Sequence, residues 1–465
     1  MRGRHLVLTS MIASLGLAIA APAATGSTAS VAGANLNFIA NPGEANNMLV
    51  SESGGFFVLT DSGAPIVPGA GCSAVNANTV KCATTGIIGI SIDAGDGNDQ
   101  MTVDGSVTGL QGVSILAGLG TDIVNGSPSI KNSILGDNGA GTVGGADVIN
   151  GGADDDQITP GGGNDVVNGG DGSDFVEMSF ASDGADTING GRDVDGISYF
   201  RRTAPVHVSN DGVADDGEGC PGASCEGDNV GADVENVGGG AAGDVIGGNG
   251  TGGEIDGGFG DDQLSGGGGA DFIRGGLGQD RIDGGPGSDL IFGDYGADTM
   301  AGGPGDDVFT SQLFADEPDV ISGGKGTDQM DYSGASDAVK VTLDGRANDG
   351  VPSEADNVKP DVEDVIGTPQ ADVLVGSRRA NQLTGLGGAD RLLGGAGADG
   401  LLGGSGNDLL VGGKARDLID GAGGGDRIAS RDGGPDQVDC GSAIDRVKAD
   451  RADRLTADCD RVKRR

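Results

Sequence analysis

From Gly257 to Thr310 the chain reads GGFGDDQLS, GGGGADFIR, GGLGQDRID, GGPGSDLIF, GDYGADTMA and GGPGDDVFT, a nine-residue period held without a slip. Each copy has the form Gly-Gly-x-Gly-x-Asp-x-U-x, with U apolar, so turn chemistry that carries a carboxylate alternates with a very short strand. Gly tolerates the positive φ of a sharp turn, and x-U-x sends one apolar side chain inward between two outward ones. Such a strand cannot stand alone. Two nonads make one eighteen-residue coil with a strand on each side, and residues eighteen apart then stack along the coil axis as a parallel ladder. Leu264, Ile282 and Met300 fall on one wall and Ile273, Ile291 and Phe309 on the other. Asp262, Asp280 and Asp298 line one edge, and Asp271, Asp289 and Asp307 the opposite edge. Gly-rich disorder gives no reason for Asp and an aliphatic to recur in strict register.

Stacked carboxylates repel one another unless a cation sits between them. Carboxylates and turn carbonyls are hard oxygen ligands, which suit Ca²⁺ better than Zn²⁺, an ion that favours Cys or His. The contiguous nonads resemble the hemolysin-type calcium-binding repeats of the repeats-in-toxin (RTX) family, found in secreted bacterial calcium-binding proteins. The resemblance implies an all-β, right-handed parallel β-roll that binds multiple Ca²⁺ ions through the sixth-position Asp and glycine backbone carbonyls. Carried over nonad by nonad, it implies metal binding at Asp156, Asp165 and Asp174 in a first block. In a second block it implies Gly260 with Asp262, Gly269 with Asp271, Gly278 with Asp280, Gly287 with Asp289, Gly296 with Asp298, Gly305 with Asp307, and Asp328. In a third it implies Asp390, Gly397 with Asp399, Gly406 with Asp408, Asp417 and Asp426. Asp154 and Ala415 occupy the fourth position of their nonads, where a Cβ should weaken the site without abolishing its carboxylate.

The chain has 465 residues, a formal net charge of −42 and no Trp. Such acidity argues against nucleic-acid or anionic-membrane partners and opposes compaction until counterions arrive. Residues 1–24 read as a signal peptide, with Arg2, Arg4 and His5 before an apolar run and an Ala21-Pro22-Ala23 cleavage site. No later segment approaches transmembrane length, which predicts an extracellular protein, secreted and open to cell-surface association. Its cysteines fall into three local couples, Cys72 with Cys82, Cys220 with Cys225 and Cys440 with Cys459, read as disulfide staples.

Composition shifts divide the rest. Residues 25–92 form an N-terminal β segment, and blocks of nonads occupy 93–198, 239–331 and 367–429. Between them lie insertions at 199–238 and 332–366, expected as polar loops projecting from the roll, and 430–465 form a disulfide-closed cap. The insertions are copies of each other: YFRRTAPVHVSNDGVADDGEG from Tyr199 matches YSGASDAVKVTLDGRANDGVP from Tyr332. After each, the second nonad lacks its Asp, with Gly253 in one copy and Asn381 in the other, so a whole unit was duplicated.

The chain has no H-E-x-x-H and no G-x-S-x-G, and its one histidine beyond the leader, His207, is matched by Lys340 in the duplicate. The expectation is a non-enzymatic calcium-binding protein with a structural or adhesive role and a cell-surface or matrix partner. The alternative is a secreted calcium-dependent, carbohydrate-active enzyme on the same solenoid. Calcium loops at Asp211–Gly217 and Asp344–Gly350 are a further suggestion of the sequence, although neither fits EF-hand spacing.

Overall fold

The computed structural model describes residues 26–137, 144–222, 225–310 and 317–464, so the leader expected over 1–24 lies outside the described residues. The described residues contain β-strands and no helix. They build a parallel-stacked β-solenoid of about 19 turns. Two long walls face each other across a thin core. In the regular stretch, Leu264, Ile282, Met300 and Ile321 pair in register along one wall, while Ile255, Ile273, Ile291, Phe309 and Met330 pair along the other. Each of these side chains is at least 97 % buried, so one apolar residue per nonad supplies the whole core. Full burial of such a side chain contributes about 1.5–3 kcal/mol. The flanking x residues point outward, which is the period-2 alternation of a strand.

The chain enters the solenoid through antiparallel strands. Ser27–Ala32 pairs with Asn35–Ile39, and Asn47–Ser53 with Phe56–Asp61. The second strand of the first pair and the first strand of the second then start the two parallel walls, against Gly89–Asp93 and Gln100–Val103. The three cysteine couples form disulfides as expected, Cys72–Cys82, Cys220–Cys225 and Cys440–Cys459.

Two expectations are corrected. The insertions do not project as polar loops, because both feed strands into the walls. Val206–Val208 pairs with Val245–Gly247, and Asn229–Val230 pairs with Thr187–Arg192; in the duplicate, Lys340–Thr342 pairs with Val373–Val375 and Asn357–Val358 with Val320–Lys325. Buried Tyr199, Val206 and Val208, matched by Tyr332, Val339 and Val341, hold them against the core. The tail, too, does more than cover the end. Gln437–Asp439, Arg446–Ala449, Arg454–Leu455 and Arg461–Arg464 continue the coils after the Gly period is lost, with Val438 and Val447 buried in core positions.

Candidate metal centres

The regular nonad turns share one construction. In each, the sixth-position Asp closes the turn beneath the next coil, where one carboxylate oxygen serves the backbone and the other does not. In one edge of the regular stretch the Asp262 N–H donates to Asp280 Oδ1 at 2.9 Å, and the Asp280 N–H to Asp298 Oδ1 at 2.8 Å. In the other, Asp271 donates to Asp289 at 2.9 Å, Asp289 to Asp307 at 2.9 Å and Asp307 to Asp328 at 3.0 Å. The third block repeats this along Asp390, Asp408 and Asp426 and along Asp399 and Asp417. The first does so from Asp156 to Asp174 and from Asp147 to Asp165.

The second oxygen decides the chemistry. Oδ2 of Asp156, Asp165, Asp174, Asp262, Asp271, Asp280, Asp289, Asp307, Asp328, Asp390, Asp399, Asp408, Asp417 and Asp426 is buried and has no hydrogen-bond partner. Asp298 is equally buried and receives the Asp280 N–H on its other oxygen. A buried charged oxygen without a partner is costly, and native structures avoid it. These oxygens also sit beside backbone oxygens. A Cβ added at Gly257 would strike both Asp262 Oδ2 and the carbonyl of Gly275, and the same pair of oxygens meets at Gly266, Gly275, Gly284, Gly394 and Gly403 in their own turns. A carboxylate oxygen and a carbonyl oxygen thus converge where any side chain would fill the gap. This donor set fits a hard divalent cation.

The expected glycines act through this close stacking. A Cβ on Gly278, Gly287, Gly296, Gly305 or Gly406 would collide with the carbonyl oxygen of the fourth-position Gly one coil earlier, and one on Gly397 with the Arg379 carbonyl. Gly260 and Gly269 meet backbone of the preceding coil in the same way. Ala415 holds this fourth position with φ 88°, in the left-handed region that an L side chain resists.

Burial drives the carboxyls up. Desolvation raises Asp262 and Asp390 to about 7, opposed by the backbone N–H each accepts and reinforced by the stacked neighbours. It raises Asp280, Asp289, Asp328, Asp399, Asp417 and Asp426 to about 6. In the first block Asp156 reaches about 7 and Asp147 about 8 for the same reason. At neutral pH the ladder therefore carries charge that its surroundings resist, which a cation between rungs relieves.

The ladder is longer than the set of aspartates expected above to bind metal. Asp99, Asp122, Asp147, Asp186 and Asp195 in the first block, and Asp436 and Asp445 in the tail, have the same buried, unpartnered Oδ2. The tail members kept the Asp-x-aliphatic half of the repeat, as in Asp436-Gln-Val and Asp445-Arg-Val, after losing the Gly-Gly-x-Gly spacing; that half-motif was the available signal. Asp244 and Asp372, the first rungs after the insertions, differ. Gly240 and Thr368 donate backbone N–H groups to Oδ2 of these two, and Val206 and Val339 to their Oδ1. The suggested calcium loops lose support likewise, since each oxygen of Asp216 and of Asp349 accepts a backbone N–H. Asn381 stands in for an Asp and turns its amide onto the Glu363 carbonyl at 2.9 Å. His207 is half-buried on an outer face in a shallow groove of about 330 Å³ with Gln263 and Arg281, away from the ladder.

The fold and its turns define a calcium-binding repeat solenoid. The RTX calcium-binding nonapeptide repeat family matches residues 141–176, 180–198, 247–309 in two overlapping stretches, 315–339, 366–401 and 402–434. These stretches carry repeats of the RTX calcium-binding type. No curated protein matches it.

Proposed function

We propose that this is a secreted, non-enzymatic protein whose turns take up multiple Ca²⁺ ions and whose β-roll is completed by that uptake. The observation that carries the reading is the repeated pairing of a buried, unpartnered Asp Oδ2 with a converging backbone carbonyl. Asp262, Asp271, Asp280, Asp289 and their counterparts would hold the ions, with the turn carbonyls as co-ligands. Bound calcium supplies positive charge between rungs that otherwise repel. Because a rung is complete only when two coils are stacked, binding free energy becomes folding free energy. Site affinities in the extracellular range, roughly 10⁻⁴ to 10⁻³ M, are expected. Three disulfides in so acidic a chain support an oxidising, extracellular setting. The test is equilibrium dialysis against Ca²⁺ at physiological ionic strength. Uptake of many ions per chain is expected, and uptake no greater than that of a non-repetitive acidic protein of equal charge would end the reading.

An adhesive role finds its support where the first insertion meets the nonad block before it: Phe180 of that block and Phe200 of the insertion are each 59 % exposed, and the Arg201 guanidinium lies 4.8 Å from the Phe180 ring. Exposed aromatics beside a cation are common in partner contacts. Replacing both Phe residues by Ser should reduce retention on a matrix or cell surface, and unchanged retention would remove this role.

A further inference from the structure

We propose that Asp432 completes, with Asp417 and Asp436, a three-carboxylate cation site at the last glycine-rich turn, chemically distinct from the other turns and tighter for Ca²⁺. The inference rests on the calcium reading of the ladder and adds to it a site that the nonad pattern does not contain. The sequence around it departs from the pattern: residues 431–439 read RDGGPDQVD, with an acid at the second position. In the nonads from Gly257 to Thr310, and again in those from Gly385 to Ala429, that position holds a residue at positive φ, whether Gly258, Gly276 or Gly404, or even Asp294, Leu386 or Ala422. Asp432 is free of that constraint, and the coil from Asp417 to Asp436 is nineteen residues long instead of eighteen. Most predecessors have Gly at this position, and the one earlier acid in these nonads, Asp294, pairs with Arg274 at 3.1 Å, whereas Asp432 brings a carboxylate to its neighbouring rungs.

The placement is specific. One carboxylate oxygen from each of Asp417, Asp432 and Asp436 lies within 4.8 Å of the other two. Oxygens that share one Ca²⁺ at 2.3–2.6 Å lie at most about 5 Å apart, so one ion can touch all three. Among the described residues no other group of three carboxylates comes so close. Independently of the cluster, Oδ2 of both Asp417 and Asp436 is buried without a hydrogen-bond partner, each residue being 1 % exposed. Asp432 is exposed and forms no ion pair among the described residues; the adjacent Arg431 turns instead to the Lys463 carbonyl at 3.0 Å. Two buried acids and a third brought in from solvent, with no protein cation between them, match the ligand charge that raises calcium affinity. The site also joins the last regular turn to the tail coils, since Asp417 belongs to one and Asp436 to the other.

The test is calorimetric titration of Ca²⁺ into the full-length protein, its Asp432→Asn variant and an Asp211→Asn control that removes an exposed acid far along the chain. The expected wild-type isotherm has one equivalent bound at least ~10-fold more tightly than the remaining sites. Asp432→Asn should lose that equivalent while the weaker class and the far-ultraviolet circular dichroism of the calcium-loaded chain stay unchanged, and Asp211→Asn should behave as wild type. A tight equivalent that survives Asp432→Asn, or an isotherm with only the weak class, overturns this site and leaves the ladder reading standing. Absence of calcium binding in all three proteins overturns the ladder reading, and this site with it.

Discussion

The backbone N–H of Asp262 donates to Oδ1 of Asp280, 2.9 Å away in the next coil, while Oδ2 of Asp280 is buried with no hydrogen-bond partner. One side chain therefore does two separable jobs. Its first oxygen fastens coil to coil, as a neutral acceptor would. Its second has a use only when a cation is near.

That separation predicts different outcomes for two variants. Asp280→Asn keeps an acceptor for the Asp262 N–H and removes the charge, so metal-free stability should hold or rise while calcium binding falls by one or two sites. Asp280→Ala loses both, and the orphaned Asp262 N–H should cost about 1–3 kcal/mol in either condition. Denaturant melts with and without calcium distinguish them; equal loss in the two variants would contradict the account.

Acid should substitute for calcium in part. The unfolded aspartates titrate near 4, whereas burial lifts Asp262 and Asp390 to about 7 and Asp280 and Asp399 to about 6. A folded value above the unfolded one means that the folded state holds protons longer. The corresponding stability is fully present below pH ~4 and is lost as pH rises through 6 to 7. The metal-free protein should therefore melt higher at pH 5 than at pH 8, and the gain from calcium should be larger at pH 8. Thermal melts in chelator across this range check the sign.

Arg202 is fully buried, and its guanidinium reaches Asp183 at 2.6 Å and Glu226 at 2.9 Å. The duplicated unit has Ala335 at the matching position. A guanidinium thus neutralises buried acids at the first insertion irrespective of metal. Arg202→Ala should cost about 3–5 kcal/mol, because it strands two buried carboxylates. If calcium fully restored the variant, the pair would be a metal ligand set and not an ion pair.

Ala415 at φ 88° and Leu386 at φ 68° sit in the left-handed region. Ala415→Gly and Leu386→Gly should each stabilise the roll by about 1 kcal/mol, against the usual direction for glycine. Unchanged or lower melting temperatures would show that these turns do not hold the strain.

The regular stretch was legible because one residue type does one job at each position. The walls from Leu264 to Met300 and from Ile273 to Phe309, and both Asp edges, follow from counting to eighteen. The insertions were not legible as wall strands, because Val206 and Val230 enter the walls through segments with no nine-residue period. The tail misled for a related reason: Val438 and Val447 keep the core, while the glycine spacing that advertises a coil is lost. Nor could the sequence distinguish Asp244, with both oxygens satisfied by backbone, from Asp262, which follows it on the same edge with one oxygen bare. Local hydrogen bonding sets that difference, and it depends on how the preceding insertion docks.

The most direct measurement is a calcium titration of the disulfide-intact protein after chelation, followed by far-ultraviolet circular dichroism at pH 7.5 with magnesium as the control. A cooperative gain of β-structure with calcium and none with magnesium is the predicted result. A spectrum already fully β in chelator and unmoved by calcium would contradict the claim that cation uptake completes the roll.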